Sequence, residues 1–147
     1  MIVVGVDGSE SSRRALRFAL DEARLRGDAV RVVGVWHVPV AAYGGAFVPP
    51  APARVGELEP QMRLALERAL EETDGSAGDV EVETVVREGA PAATLLEEAQ
   101  DAELLVVGSR GLGGFRGLLL GSVGQQCAHH APCPVVIVPH SRDLSTD

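Results

Sequence analysis

The strongest indication of the fold is Ile2-Val3-Val4-Gly5-Val6-Asp7-Gly8-Ser9, at the start of the given sequence. Its apolar run is typical of a strand that is buried on both faces, and the polar residues after it form a turn that opens a helix. Apolar residues then recur at helical spacing up to Arg26, with Ser9 as the predicted N-cap and Gly27 as the predicted residue after the last turn. A strand that leads directly into a helix is the first part of a β-α-β unit, and such units build parallel sheets.

The rest of the chain repeats this alternation. The further predicted strands are Val30–Val38, Val80–Val86, Leu104–Val107 and Val135–Val138. The further predicted helices are Leu58–Thr73, Pro91–Ala99 and Ser122–Ala131. The order β-α-β-α-β-α-β-α-β predicts an α/β protein with a mostly parallel five-stranded sheet and helices on both faces. Because polar and apolar residues alternate along Val80–Val86, we expect this strand at an edge of the sheet. No internal repeat is present, and we expect one domain over residues 1–147.

One long segment breaks the pattern. Pro39–Pro60 carries five of the nine prolines together with Gly44 and Gly45. We predict a loop without regular structure there, because proline and glycine interrupt both helices and strands. Loops of this length often serve as lids or binding segments.

The composition excludes several classes of function. The chain carries 13 basic and 21 acidic side chains, a net charge of −8, and no lysine. Without lysine, neither Schiff-base catalysis nor a Walker-type phosphate loop is possible. The acidic balance and the 3% aromatic content disfavour nucleic-acid binding. No apolar run is long enough to cross a membrane and no basic segment follows Met1, so we expect a cytoplasmic protein without nucleic-acid or membrane partners.

Seven of the 17 glycines fall between Gly108 and Gly124. Glycine lets the backbone approach a phosphate closely, and the predicted helix that begins at Ser122 adds N–H donors and a positive dipole end. Arg110 and Arg116 would add charge-assisted hydrogen bonds. The alternative is a flexible surface loop with two solvated arginines. In an open α/β sheet, ligands bind where the strand order reverses, and the exits of the first and fourth strands, at Asp7 and Gly108, should lie side by side there.

The spacing within this segment resembles the nucleotide-binding signature of the universal stress protein family. The matching pattern is Gly108-x-x-Gly111, nine residues, then Gly121-Ser122. Further similarities are Val4–Ser9, Trp36-His37-Val38 and Cys133–Val138, so the resemblance covers the chain apart from Pro39–Pro60.

This resemblance implies a single-domain, ATP-binding universal stress protein with strand order 3-2-1-4-5. It implies ATP with Mg²⁺ as the ligand and a homodimer built by the last strand, Val135-Val136-Ile137-Val138. The cofactor-binding residues that it implies are Gly5, Val6, Asp7, Val38, Val107, Gly108, Ser109, Arg110, Gly111, Gly113, Gly114, Gly121, Ser122 and Val123. Among them, Val38 would offer backbone hydrogen bonds to adenine, and Gly121, Ser122 and Val123 would hold the triphosphate.

Asp7 also has a role that follows from charge. A carboxylate next to a triphosphate is repelled unless it hydrogen-bonds the ribose or holds Mg²⁺, which prefers one or two carboxylates plus phosphate oxygens. The alternative role is a turn-forming residue that joins the first strand to the first helix. The two roles are compatible.

Other candidate chemistry is weaker. Cys127, His129, His130 and Cys133 are possible zinc ligands, but their spacing differs from that of structural zinc sites, and Cys127 is better explained as a core residue. Neither Ser9, Ser109 nor Ser122 lies in a nucleophile elbow, and His37 is expected to be structural. The resemblance implies an ATP-binding regulator of a stress response or of dormancy. The alternatives are a nucleotide-free scaffold of the same fold and a weak ATPase.

Overall fold

Five parallel strands form a sheet with two helices on each face in a computed structural model, which describes residues 1–38, 41–43, 45–48, 51–73, 78–111 and 120–140. The strands are β1 (Ile2–Gly5), β2 (Val30–Trp36), β3 (Ala41–Tyr43), β4 (Ala46–Val48), β5 (Val82–Glu88), β6 (Leu104–Gly108) and β7 (Val135–Val138). The helices are α1 (Glu10–Arg26), α2 (Pro52–Glu72), α3 (Pro91–Glu98) and α4 (Ser122–His130).

The main sheet has the order β5-β2-β1-β6-β7, and all four strand pairs are parallel. Counted along its five strands, this is the order 3-2-1-4-5, which confirms the predicted fold. Residue Ile2 of the central strand pairs with Val30 on one side and with Leu104 on the other. The order therefore reverses around β1, and the carboxyl ends of β1 and β6 meet at one edge. The predicted edge position of the third strand is also confirmed, because β5 has only β2 as a neighbour among the described strands.

Two apolar layers hold the helices on the sheet. Ile2 and Val4 of β1 point into a core with α1 and α2, while Val3 between them points into a second core with α3 and α4. This alternation is the period of two that a strand imposes on its side chains. All three side chains are fully buried, as the uninterrupted apolar run of β1 predicts.

Both predicted ends of α1 are confirmed. The Oγ atom of Ser9 accepts the N–H of Ser12 at 3.2 Å, and Gly27 takes a left-handed conformation with φ of 71°. A serine N-cap contributes about 1 kcal/mol to helix stability relative to alanine, and glycine adopts positive φ without a Cβ clash. The turn after β1 is therefore fixed by its own sequence, and it positions Asp7 at the sheet edge.

The prediction of an irregular Pro39–Pro60 segment is wrong in two places. The strands β3 and β4 pair as an antiparallel hairpin, and α2 begins at Pro52. Proline is well tolerated in the first turn of a helix, where an N–H would have no helical partner. Pro60 lies inside α2, where it removes the hydrogen bond to the carbonyl of Gly56, but both residues are exposed, so water can solvate that carbonyl.

Candidate functional site

A cavity of about 680 Å³ lies at the carboxyl ends of β1, β2 and β6. Its volume is within the range of small-molecule sites. The described residues that line it are Gly5, Val6, Asp7, Ser12, Val33, Val35, Trp36, His37, Leu58, Gln61, Met62, Ala65, Pro91, Leu95, Val107, Gly108, Ser109, Arg110, Gly111, Gly121, Ser122, Val123 and Gly124. This is the topological switch point, where open α/β sheets bind ligands.

The polar end of the cavity is built from backbone. Gly111 lies against Asp7 so closely that a Cβ atom on Gly111 would be 2.7 Å from Oδ2 of Asp7. Gly121 approaches from the far end of the glycine-rich segment and donates its N–H to the carbonyl oxygen of Ser109 at 2.6 Å. Both ends of that segment therefore meet at the cavity, although the residues between 112 and 119 lie outside the described part of the chain.

The first turn of α4 points its backbone donors at the same end. The helix begins at Ser122 after Gly121, which provides no side chain to cap it. The N–H groups at the start of a helix have no acceptor within the helix, and the helix dipole places partial positive charge there. Because Ser122, Val123 and Gly124 all line the cavity, the residues of this terminus are ones that could hold an anion.

Asp7 has the turn-forming role that its position predicts, while its role toward a ligand stays a prediction. Its Oδ1 atom accepts the N–H of Ser9 at 2.9 Å, which is the turn-forming interaction, and its own N–H donates to Oγ of Ser12 at 3.3 Å. Oδ2 lies on the side of Gly111. One carboxylate oxygen is thus part of the turn, while the other is next to the backbone that would meet a phosphate.

A single carboxylate fits Mg²⁺ only together with other oxygen ligands. Among the described residues, no group of three His, Cys, Asp or Glu side chains could hold a metal ion. A magnesium ion at Asp7 would therefore need phosphate oxygens and water to complete its coordination, as is usual for nucleotide-bound magnesium.

The other end of the cavity is apolar and was not predicted from the sequence. Val33 and Val35 of β2 form its floor, and Leu58 and Met62 of α2 form one wall. Met62 can approach because Gly34 has no side chain: a Cβ there would be 2.8 Å from the sulfur of Met62. The heptad-like spacing of Leu58, Met62 and Ala65 predicts a buried helix face. It does not indicate that this face would contact a ligand.

Most of the predicted cofactor-binding residues lie together. Those that line the cavity are Gly5, Val6, Asp7, Val107, Gly108, Ser109, Arg110, Gly111, Gly121, Ser122 and Val123. Val38 lies just beyond the end of β2 and is not a lining residue, whereas Trp36 and His37 are. Gly113 and Gly114 lie outside the described residues. The role of each of these residues in binding stays a prediction.

The remaining candidates have other surroundings. Cys127 is fully buried, and burial raises the pKa of its thiol. Burial also raises the pKa of Cys133, and both cysteines are free. Because zinc binds the thiolate, raised pKa values disfavour the zinc site further. His129 and His130 are exposed in the last turn of α4, where the negative end of the helix dipole would favour a cation. No helix in the described part of the chain is long and apolar enough to span a membrane.

The strand order and the cavity together describe an α/β protein whose cavity lies at the switch point of its sheet. The family model of the universal stress protein family matches residues 1–139, and the chain belongs to that family. A universal stress protein of Mycolicibacterium smegmatis is 39% identical over 137 residues, which is 93% of this chain and 45% of that protein. The chain thus spans about half the length of the curated relatives it matches.

Solved structures agree with the fold. A universal stress protein crystallised in complex with cAMP has a TM-score of 0.65 and 31% identity, covering 93% of this chain and 94% of that chain. The universal stress protein from Archaeoglobus fulgidus in complex with dAMP has a TM-score of 0.62 and 28% identity, covering 93% of this chain and 95% of that chain. Both similar proteins therefore hold an adenine nucleotide in their crystals.

Proposed function

We propose that this chain binds an adenine nucleotide, with ATP as the physiological ligand, in the cavity at the carboxyl ends of β1, β2 and β6. One observation carries the proposal: Gly111, Gly121 and the uncapped start of α4 converge next to Asp7 at one end of a cavity whose other end is apolar. A nucleotide is divided in the same way: its phosphates form a polyanion at one end, and a planar, weakly polar base lies at the other. The cAMP and dAMP complexes of similar proteins support the proposal.

The phosphates would be held mainly by backbone amides. The chain has no lysine, and Arg110 is the only basic side chain among the described residues that line the cavity, apart from His37. Amides at a helix terminus and in a glycine-rich turn provide several donors without a bulky cation. Arg110 would add a charge-assisted hydrogen bond. Val38, Gly113 and Gly114 remain part of the proposed site on the resemblance alone.

Asp7 would make the binding of longer phosphate chains depend on Mg²⁺. Its carboxylate lies next to Gly111, so it repels an approaching polyphosphate unless a cation stands between them. Magnesium fits here because it accepts one carboxylate together with phosphate oxygens and water. A monophosphate bound only at the start of α4 carries less charge near Asp7 and needs the cation less.

The proposed role of the chain is regulatory. The described residues of the cavity include Ser109, Ser122 and His37, but no hydrogen bond in the described structure joins a histidine side chain to a serine hydroxyl. We therefore propose a nucleotide-dependent regulator of a stress response or of dormancy, with ATP hydrolysis slow if it occurs. A nucleotide-free scaffold of the same fold would leave the cavity empty in solution, and the binding experiment below separates the two.

We also propose a homodimer formed through β7. This strand is the last in the sheet and has only β6 as a neighbour among the described strands. Pro134 and Val138 direct their carbonyls to β6, accepting the N–H groups of Leu105 and Ser109. Strand geometry then turns the backbone of Val135 and Ile137 to the open edge, where a second copy can pair.

Calorimetric titration of the purified chain tests the proposal. We expect ATP with Mg²⁺, AMP and cAMP to bind, and GTP to bind at least about tenfold more weakly, a difference of about 1.4 kcal/mol. Mass spectrometry of small molecules released on denaturation should show an adenine nucleotide if affinity is high. If no adenine nucleotide binds at millimolar concentration, the chain is a scaffold and the proposal is wrong.

A further inference from the structure

Ser109 joins three parts of the chain at the end of β6. It is 6% exposed and lines the cavity. Its N–H donates to the carbonyl of Val138 at 2.8 Å, its own carbonyl accepts the N–H of Gly121 at 2.6 Å, and its Oγ atom accepts the N–H of His140 at 3.0 Å. One buried residue therefore contacts the residue before α4, the last residue of β7 and the segment that follows β7.

These contacts link the anion end of the cavity to the open edge of the sheet. Gly121 precedes the α4 amides that face the cavity, so its position sets where those amides point. His140 stands two residues beyond the end of β7, and its amide is fixed by the Ser109 hydroxyl. Two of the three hydrogen bonds use the backbone of Ser109, and only the bond to His140 needs the side chain.

Ser11 reinforces the junction from the other side. Its Oγ atom lies 3.4 Å from the carbonyl oxygen of Val138 and 3.5 Å from the amide nitrogen of Arg110. It also leaves no room at Gly108, where a Cβ atom would be 2.5 Å from the Ser11 hydroxyl. The junction is thus closely packed, and a displacement of Ser109 must move both the α4 start and the end of β7.

We infer that Ser109 is a positioning residue that couples occupation of the phosphate end of the cavity to the segment leaving β7. The inference rests on the proposed nucleotide binding. A phosphate bound at the start of α4 would fix the position of Gly121. Gly121 is hydrogen-bonded to Ser109, and Ser109 is hydrogen-bonded to the amide of His140, so the position of His140 would be fixed as well. Coupling between two sites is reciprocal, so loosening His140 must also weaken phosphate binding.

Ser109→Ala tests the coupling because it removes only the bond to His140. We expect the affinity for AMP and ATP to fall about threefold to tenfold, while the affinity for adenosine, which lacks phosphate, stays within about twofold. Ser109→Thr keeps the hydroxyl and should recover most of the lost affinity. Thr73→Val is a matched control, since it removes another buried hydroxyl, bonded to the carbonyl of Leu70, far from the phosphate end. It should change no affinity.

Hydrogen exchange of peptides that contain His140 provides the second readout. Mg-ATP should slow exchange there in the wild-type chain and have no such effect in Ser109→Ala. An equal loss of adenosine and AMP affinity in Ser109→Ala, or a His140 response that persists in it, would overturn the inference while leaving nucleotide binding intact. If the wild-type chain binds no nucleotide, the proposed function fails, and the inference fails with it.

Discussion

Gly111 stands directly in front of the Asp7 carboxylate, and a Cβ atom at position 111 would lie 2.7 Å from Oδ2 of Asp7. This close approach brings Gly111, in the glycine-rich segment, against Asp7, which follows the first strand. It explains why a residue without a side chain is needed at position 111, since any side chain would displace the carboxylate or the backbone beside it.

Gly111→Ala should weaken nucleotide binding about tenfold or more, because the added methyl group and the Asp7 carboxylate must move apart, and a hydrogen bond to a charged phosphate lost in this way is worth about 1.5–3 kcal/mol. Gly56→Ala is the matched control, since a Cβ atom at position 56 meets no atom within 4 Å. Titration of both variants with ATP and Mg²⁺ makes the measurement. Equal affinities for the two variants would contradict the placement of phosphate at Gly111.

Asp7→Asn should remove most of the magnesium dependence of ATP binding. Asparagine keeps an oxygen for the hydrogen bond from Ser9, so the turn is retained, but its neutral amide neither repels phosphate nor binds a cation well. The measurement is the ratio of ATP affinities with and without Mg²⁺, which should be large in the wild-type chain and near one in the variant. An unchanged ratio would show that Asp7 does not contact the metal.

Trp36 gives an optical signal for the site. It is the single tryptophan of the chain and lines the cavity at the end of β2. Its emission should change in intensity or wavelength when an adenine nucleotide binds, because the base alters the surroundings of the indole. Inorganic phosphate serves as the control and should leave the spectrum unchanged. A saturable calorimetric signal without any change in Trp36 emission would place the ligand elsewhere.

Ile137→Pro should convert the proposed dimer to a monomer. Proline removes an N–H that faces the open edge rather than β6, so the strand can stay in its sheet. Ile137→Val is the control: it also shortens a side chain packed in the second core, but keeps the N–H. Light scattering should give twice 15.4 kDa for the wild type and the control, and 15.4 kDa for the proline variant. A wild-type mass of 15.4 kDa would refute the dimer.

The ion pairs of Arg31 make stability depend on pH. Its Nη1 atom lies 3.1 Å from Oδ1 of Asp101, and this hydrogen bond lowers the pKa of Asp101 below the usual 3.8. A carboxyl whose pKa is lowered by folding stabilises the protein above its unfolded pKa, and this contribution is lost as the pH falls through the folded pKa. Asp101→Asn should therefore lower the melting temperature at pH 7 and cost progressively less below about pH 4.

An Arg31→Met background checks the source of that effect. With the guanidinium removed, Asp101→Asn should change the melting temperature equally at pH 7 and pH 3. A pH-dependent difference that persists in the Arg31→Met background would show that another group lowers the Asp101 pKa.

The central strands β1 and β6 were predictable because they are buried on both faces. Uninterrupted apolar runs such as Leu104–Val107 leave little ambiguity, and α1 has clear caps at Ser9 and Gly27. The error at Pro39–Pro60 has a physical origin: proline breaks a helix interior but fits its first turn, and the sequence does not say which position Pro52 takes. The structure puts it at the start of α2.

The polar half of the site was predictable and the apolar half was not. The spacing of the glycines and the predicted helix start at Ser122 indicate phosphate binding, and both can be recognised from the sequence alone. The wall formed by Leu58 and Met62 has the pattern of any buried helix face, and only the packing of α2 over Gly34 shows that it borders a cavity. Side chains that contact a ligand only through shape complementarity cannot be recognised from a local sequence motif.

Amide chemical shifts measured by nuclear magnetic resonance test the central claim, that backbone N–H groups bind the phosphates, most directly. On titration with ATP and Mg²⁺, we expect large shifts for the amides of Gly111, Gly121, Ser122 and Val123. Adenosine should shift residues of the apolar end and leave these four amides nearly unchanged. If the four amides do not respond at saturating ATP, or respond equally to adenosine, the phosphates do not bind to these backbone N–H groups.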